Sequence, residues 1–289
     1  MSTPIRVYYC ADMDAPTAQI SPSAQKPQRA VESWGRLGIP LDIKRTTPIS
    51  EETLGYAHDP NYVKGVLTGT RDNGFGTRDP GVARSLLFTN GSFGLAAHHA
   101  LRTRRVAVSP SCGFHHAHYA EAGAYCTFNG LMVAACWLQK KGLIHRQVGI
   151  IDLDMHYGNG TDEIIGRLPE RERPKHFSAG REFKSRTQVD AFFQVLAEKL
   201  AWMSDFAVVF YQAGADPHVR DPLGGWMTTE QMYLRDRMVF DACKRMNVGV
   251  AWNLAGGYQT NLDGSTNWPA ILEIHDNTMK ACWEVFGDS

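Results

Sequence analysis

Short apolar, β-rich runs recur along the chain at residues 6–10, 41–44, 106–109, 148–153, 206–211 and 248–253, most of them without alternation of apolar and polar residues. Runs of this kind suit strands buried on both faces, as in a parallel sheet covered by helices on either side. The segments between them read as helices. Residues 129–140 are rich in Leu, Met and Ala and stop before Gly142, a helix-ending residue. Thr228 and Gln231 form a Thr-x-x-Gln capping box, after which Met232, Val239, Phe240 and Cys243 fall on one helical face. The pair His98–His99 lies in a further helical pattern, 92–101, and reads as helix surface or interior. Strands alternating with helices imply βαβ units and right-handed crossovers. The expected fold is therefore one three-layer αβα domain over residues 1–289, with a mainly parallel central sheet.

Composition removes the competing classes. The 30 Lys+Arg balance 30 Asp+Glu, so the basic excess that non-specific nucleic-acid binding needs is missing. The longest apolar run, 131–138, falls far short of the ~20 residues that span a bilayer. The first residues carry no basic segment followed by an apolar core, so no signal peptide is expected. Cys10, Cys112, Cys126, Cys136, Cys243 and Cys282 form no CxxC pair, which argues against a disulfide framework or a thiolate zinc site. A reduced, cytoplasmic protein without nucleic-acid or membrane partners is expected; monomer and homo-oligomer stay as alternatives.

In open parallel sheets the ligand crevice lies outside the carboxyl ends of the strands. Four of the runs end in residues able to bind a metal or move a proton: SPSCGFHH (109–116), DLDMH (152–156), AGAD (213–216) and AGGY (255–258). On an extended chain residues two apart share a side, so Asp152, Asp154 and His156 are expected to converge on one locus. Two carboxylates and an imidazole suit a divalent metal of borderline hardness. The plainer alternative is a strand end whose acids cap the next helix. Asp216 adds a ligand from another strand end, and three protein ligands with an open position mark catalytic rather than structural zinc.

His115 and His116 can flank a metal-bound water, one as general base and the other as acid or electrostatic partner. Asp152 is placed to orient His115, and Asn159 to orient His116. Tyr258, after Gly256 and Gly257, can lean over the metal and stabilise an oxyanion; the alternative is a Tyr packed on the sheet. His58, His118 and His218 are weaker candidates, His218 reading as a solvated loop residue. The stretch 71–81, with Asp72 and Asp79, reads as a solvated turn, with substrate or subunit contact as alternatives.

Together PQRA (27–30), AHDPNYVKGVL (57–67), GFHHAHYAEAGAYCTFN (113–129), DLDMHYGNGT (152–161), GADPHVRDPLGG (214–225) and AGGYQ (255–259) resemble the histone deacetylase superfamily of the arginase/deacetylase fold. That superfamily includes bacterial acetylpolyamine and acetoin-utilisation members. The segments occur in the family's order and span most of the chain. The resemblance implies a metal-dependent amidohydrolase that removes an acetyl or other short acyl group from acetyl-lysine or an acetylpolyamine. It makes Asp154, His156 and Asp216 the Zn2+ ligands, with Fe2+ as the alternative ion in the cell. His115 and His116 become the tandem catalytic histidines, the second as general base. Asp152 supports the first histidine and shares a structural K+ site.

The resemblance also makes Tyr258 the transition-state tyrosine and Tyr125 a wall of the acyl-lysine tunnel. Ala124 stands where a tunnel glycine commonly occurs, and Arg29 looks like an internal-channel arginine. Tyr157 replaces a second histidine often present in the family, and Asn159 stands where some members carry aspartate. Segment 176–188 does not match, which leaves Phe177 and Phe183 as candidates for the second tunnel wall. Alternatives are an esterase or longer-chain deacylase using the same water, and a non-catalytic metal-binding module. A single metal site speaks against two-manganese arginase chemistry.

Overall fold

The computed structural model describes residues 2–15 and 21–287. Its strands are β1 (Ile5–Tyr8), β2 (Leu41–Lys44), β3 (Val106–Cys112), β4 (Val148–Asp152), β5 (Lys175–Ser178), β6 (Val208–Gly214) and β7 (Val250–Ala255). They form one sheet in the order β2-β1-β3-β7-β6-β4-β5, and every pairing is parallel. The helices are α1 (Lys26–Gly35), α2 (Glu51–Leu54), α3 (Pro60–Leu67), α4 (Pro80–Thr103), α5 (Gly130–Lys140), α6 (Asn159–Arg167), α7 (Val189–Leu200), α8 (Thr229–Arg245) and α9 (Trp268–Phe286).

The strand period of two sorts side chains between two cores. In β6, Val209 and Tyr211 face the layer of α1, α7, α8 and α9, whereas Val208 and Phe210 face the layer of α2 to α6. Both layers are apolar, which is why the central strands carry almost no polar position before their carboxyl ends. The helix signals act as expected. Asn129 caps α5 by accepting from Met132 N–H at 3.1 Å, and Thr228 and Gln231 complete a reciprocal capping box on α8. Met232, Val239, Phe240 and Cys243 are all buried in the core shared with α1, α7 and α9.

Two differences from the expected elements bear on the site. β3, β6 and β7 run two to three residues further toward their carboxyl ends than the apolar runs predict, carrying Gln212 and Gly214 into β6 and Ala255 into β7. β3 does so through a register break between Ser109 and Cys112. Pro110, inside that break, has no N–H for a ladder, and such irregularities bend a strand end. β5 is the strand that periodicity misses: Lys-His-Phe-Ser carries too little apolar surface to announce an edge strand.

Candidate active site

The carboxyl ends of β3, β4, β6 and β7, adjacent in the sheet apart from their order in sequence, converge on one narrow cleft of about 80 Å³. His115, His116, Asp154, His156, Gly256 and Tyr258 line its interior, and Ala124, Tyr125 and Leu223 are among the residues around them.

Two turns at the end of β4 separate residues that an extended chain would have kept together. Asp154 N–H donates to Asp152 Oδ1 at 3.2 Å, and His156 N–H donates to Asp154 Oδ1 at 2.9 Å. Each aspartate thus folds the chain back on its own side chain, as Asx turns do. Asp154 and His156 join Asp216, with one ligand atom from each lying within 4.8 Å of the others. Asp152 does not join them; it turns toward His115. The expected convergence of Asp152, Asp154 and His156 is corrected accordingly, because strand alternation ends where the chain bends. Arg235, fully buried on α8, donates one Nη1 to the carbonyls of Leu153 (3.1 Å) and Gly214 (2.9 Å), tying the β4 and β6 loops together.

These three side chains can hold a cation between them. His156 Nδ1 lies 2.8 Å from Asp216 Oδ2 and 3.2 Å from Asp154 Oδ1, and these two carboxylates raise its pKa to about 10. Burial, together with the Asp154 charge, pushes Asp216 up to about 7. Two buried acids this close repel one another, and a positive charge between them offsets both that repulsion and their desolvation. One imidazole and two carboxylates, from two strand ends, are a fitting donor set for a divalent ion such as Zn2+. Gly256, at φ +55°, is required here: a Cβ would run into the Asp216 carboxyl group.

The neighbouring histidines live in opposite environments. His115 is buried, with Nδ1 donating to Asp152 Oδ2 at 2.8 Å and Nε2 3.8 Å from Asp154 Oδ1. Burial opposes its charged form, but the Asp152 and Asp154 carboxylates outweigh that and raise its pKa to about 9. His116 donates from Nδ1 to Asn159 Oδ1 at 2.7 Å, a neutral acceptor. Burial and the positive neighbour lower its pKa to about 4. The ring centroids are 4.0 Å apart, so a charged His115 and a neutral His116 form one coupled pair. The turn that presents them holds Phe114 at φ +96°, with its ring edge-on to Phe93 in the core at 5.6 Å. Strain of that kind costs of order 1–3 kcal/mol and persists where the surroundings over-determine it.

Burial, helped by nearby Cys112 and by Asp154 and Asp216, raises the Tyr258 phenol well above its ordinary value, so it stays a hydrogen-bond donor. Its backbone N–H donates to Asp221 Oδ2 at 2.7 Å, and its ring lies 6.3 Å from that of Tyr125. Ala124 and Tyr125 sit at φ +40° and +64° in a tight turn. That turn is held from the 71–81 stretch by Tyr125 N–H to Gly74 O (3.1 Å) and by the Phe75 ring, 6.2 Å from Tyr125. The acids of that stretch do something else: Asp72 pairs with Arg78 at 2.6 Å, and Asp79 caps α4 through Gly81 N–H at 2.6 Å.

Several expectations are corrected. Phe183 does not line the cleft: it is 5% exposed, edge-on to Phe192 at 5.5 Å and tilted against Trp226 at 6.4 Å in the core. Phe177 is likewise in that core, since both follow the apolar layer rather than the loop. The exposed apolar residue at the cleft is Leu223, 51% accessible. It lies within the quoted segment 214–225 but carries no chemical signal. Arg29 stacks its guanidinium 4.3 Å over Trp268 beside a surface depression. The buried cation beneath the cleft is Lys26, donating to Gly256 O, with Nζ 3.4 Å from Cys112 Sγ and 5.2 Å from the Tyr258 ring centre. His218 is buried rather than solvated, its Nε2 3.0 Å from Thr229 Oγ1. His176 is a further residue beside the site. Its Nδ1 donates to Asp162 Oδ1 at 2.7 Å, and its Nε2 stands 3.9 Å from Asp152 Oδ2. No motif marks it, because strand β5 itself was not legible.

The chain is similar to known proteins along most of its length. Residues 23–172 match the model of the histone deacetylase domain family. An uncharacterized protein of Picosynechococcus sp. is 30% identical over 232 residues, covering 72% of this chain and 76% of that protein. The acetoin utilization protein AcuC of Bacillus subtilis is 26% identical over 259 residues, covering 75% of this chain and 66% of AcuC. The crystal structure of the HDA15 HD domain superposes with a TM-score of 0.73 at 20% identity, covering 99% of this chain and 91% of that one. The three-layer α/β architecture is therefore a histone deacetylase fold. The chain belongs to the histone deacetylase domain family and is a deacetylase-type enzyme. Among the described residues no helix is long and apolar enough to cross a membrane.

Proposed function

We propose that residues 1–289 form one catalytic domain, a cytoplasmic zinc amidohydrolase that releases acetate, or another short acid, from an acylated primary amine such as acetyl-lysine or an acetylpolyamine. The observation that carries this reading is the joint presence, on one cleft, of a neutral histidine, a protonated phenol and a three-ligand Asp–His–Asp cluster. Held by Asp154, His156 and Asp216, a divalent ion would supply Lewis acidity toward the amide carbonyl and make a water more acidic.

The chain's own groups supply the rest. His116, neutral at working pH, takes the proton of the attacking water on Nε2, since its Nδ1–H is committed to Asn159. The Tyr258 phenol donates to the carbonyl oxygen as negative charge builds there. His115, held charged by Asp152, steadies the developing oxyanion. His116 then passes its proton to the departing nitrogen, so the C–N bond breaks with a neutral amine leaving. Tyr125 and Ala124, together with Leu223, form the mouth through which the acyl-bearing stem enters. The potassium ion that the resemblance implies belongs beside Asp152. Both side-chain oxygens of Asp152 already accept from protein groups, Oδ1 from Gln212 Nε2 at 3.2 Å and Oδ2 from His115 and Ser178, and no step is routed through that ion.

The test pairs metal analysis of the purified protein with acetate release from an acetyl-lysine peptide and an acetylpolyamine, before and after chelation. About one zinc or iron per chain, with acetate release lost to chelator and regained on metal addition, is expected. Metal binding with hydrolysis of aryl esters or longer acyl chains only would redirect the substrate. Absence of metal uptake after reconstitution would overturn the ligand assignment.

A further inference from the structure

The polar chain behind His116 does not end at Asn159. Asn159 Oδ1 accepts from His116 Nδ1 at 2.7 Å, and its Nδ2 donates to His118 Nε2 at 3.1 Å. His118 sits two residues beyond His116 on the same loop. Its backbone is fixed from both sides, N–H to Glu121 O at 2.9 Å and carbonyl from His58 Nδ1 at 2.9 Å. Glu163, one turn along α6 from Asn159, stands with Oε2 4.0 Å from His118 Nδ1. That carboxylate is itself held by Tyr119 N–H at 2.8 Å and by the Arg167 guanidinium.

A carboxamide has one accepting end and one donating end, and a neutral imidazole has one nitrogen of each kind. The chain is therefore directional. Asn159 Nδ2 can only donate, so His118 Nε2, 3.1 Å away, is the acceptor. The proton of a neutral His118 is then on Nδ1, where the Glu163 charge at 4.0 Å favours it through its field rather than by a hydrogen bond. Only Nδ2 of Asn159 satisfies that acceptor, and this turns Oδ1 toward His116. Oδ1 is met only by an Nδ1–H, so the lone pair of His116 is left on Nε2. We propose that His118 is a positioning residue for the base: through Asn159 it selects the Nδ1–H tautomer of His116. This rests on the reading of His116 as base, but the tautomer can be measured without turnover.

Reversing the donor at residue 118 should reverse the chain. His118→Lys offers donors only, so the Asn159 carboxamide turns over, Nδ2 faces His116, and the ring proton moves to Nε2. Asn159→Asp in the same chain accepts from both neighbours and returns the proton to Nδ1. His118→Gln can still present an acceptor. The readout is the pair of imidazole nitrogen shifts of His116 in nitrogen-15-labelled protein at mildly alkaline pH, assigned by their loss in His116→Gln. The protonated and bare nitrogens are expected to exchange places in H118K, return in H118K/N159D, and stay as in the native chain in H118Q. Acetate release should fall at least about tenfold in H118K and recover most of that loss in the double variant; a wrong histidine tautomer costs up to ~10⁴ in serine proteases. An unchanged ring pattern in H118K, or an exchange that Asn159→Asp fails to undo, overturns the proposal. A native chain with the expected tautomer and no acetate release would instead refute the catalytic reading.

Discussion

The floor of the cleft and its rim are built from the same strand-end loops and follow different rules. At the floor, Asp152 accepts from three side chains and one backbone N–H, and His115, Asp154 and Asp216 are buried with partners at defined positions. At the rim, Tyr125 and Leu223 are 38% and 51% exposed, and Tyr125 is held by ring neighbours and one backbone bond. Groups that handle charge must be desolvated, and then every polar atom needs a partner. Groups that only touch a substrate stem need surface. On the proposed function, chemistry and recognition are separated by depth rather than by sequence position: Ala124 and Tyr125 lie within ten residues of His115 and His116.

This contrast can be broken by experiment, beginning where the effect is largest. Replacing Asp216 by Ala should empty the metal site and lower kcat by about 10³-fold or more, since metal charge stabilisation is worth several kcal/mol. Metal content measured beside turnover checks it, and retained metal with full activity would remove Asp216 from the floor. Replacing Tyr258 by Phe should lower kcat by roughly 10²–10³ with KM little changed, as for loss of one oxyanion donor. A change confined to KM would make Tyr258 a rim residue.

A third prediction concerns stability below the floor. His58 is buried and neutral, with Nδ1 donating to His118 O and Nε2 accepting from Asn129 N–H at 2.8 Å. Burial lowers its pKa from 6.5 to about 4. Between those values the unfolded chain binds the proton and the folded chain does not, so stability rises with pH through this window and is lost as pH falls toward about 4. His58 alone accounts for about 3 kcal/mol of that loss. His58→Gln should flatten the dependence of denaturant midpoints on pH over the same range; an unaltered slope would place the titration elsewhere. The smallest effect belongs to the rim. Leu223→Ala should raise KM two- to fivefold, leave kcat alone and shift stability by less than ~0.5 kcal/mol, and a kcat loss exceeding the KM change would mean that depth does not separate the two roles.

Much of the architecture was legible because its causes are local. Apolar runs two-sidedly buried announce a parallel sheet, and the capping residues Asn129 and Thr228 announce helix starts, since both signals act over a few residues. β5 gives no such signal: Lys-His-Phe-Ser has one strongly apolar residue, whereas β2, the edge strand of equal length, carries Leu41 and Ile43. At the site, residue types were legible and groupings only in part. Asp216 is legible as a ligand from its strand end, but strand alternation puts Asp152 with Asp154 and His156, and only the resemblance leaves Asp152 out of the set. Phe183 and Arg29 lie away from the cleft because an aromatic or a cation says nothing about which side of a loop it leaves.

By itself, then, the sequence determined that metal- and proton-competent residues stand at the ends of four strands, because side-chain chemistry and strand period are properties of short stretches. Only the tertiary structure decided which of them share a site. Asp152 was sent to His115 by two turns, Lys26 rather than Arg29 was set beneath Tyr258, and Asn159 was placed between two histidines. Those choices depend on distances between segments up to 230 residues apart in the chain, which no local pattern encodes.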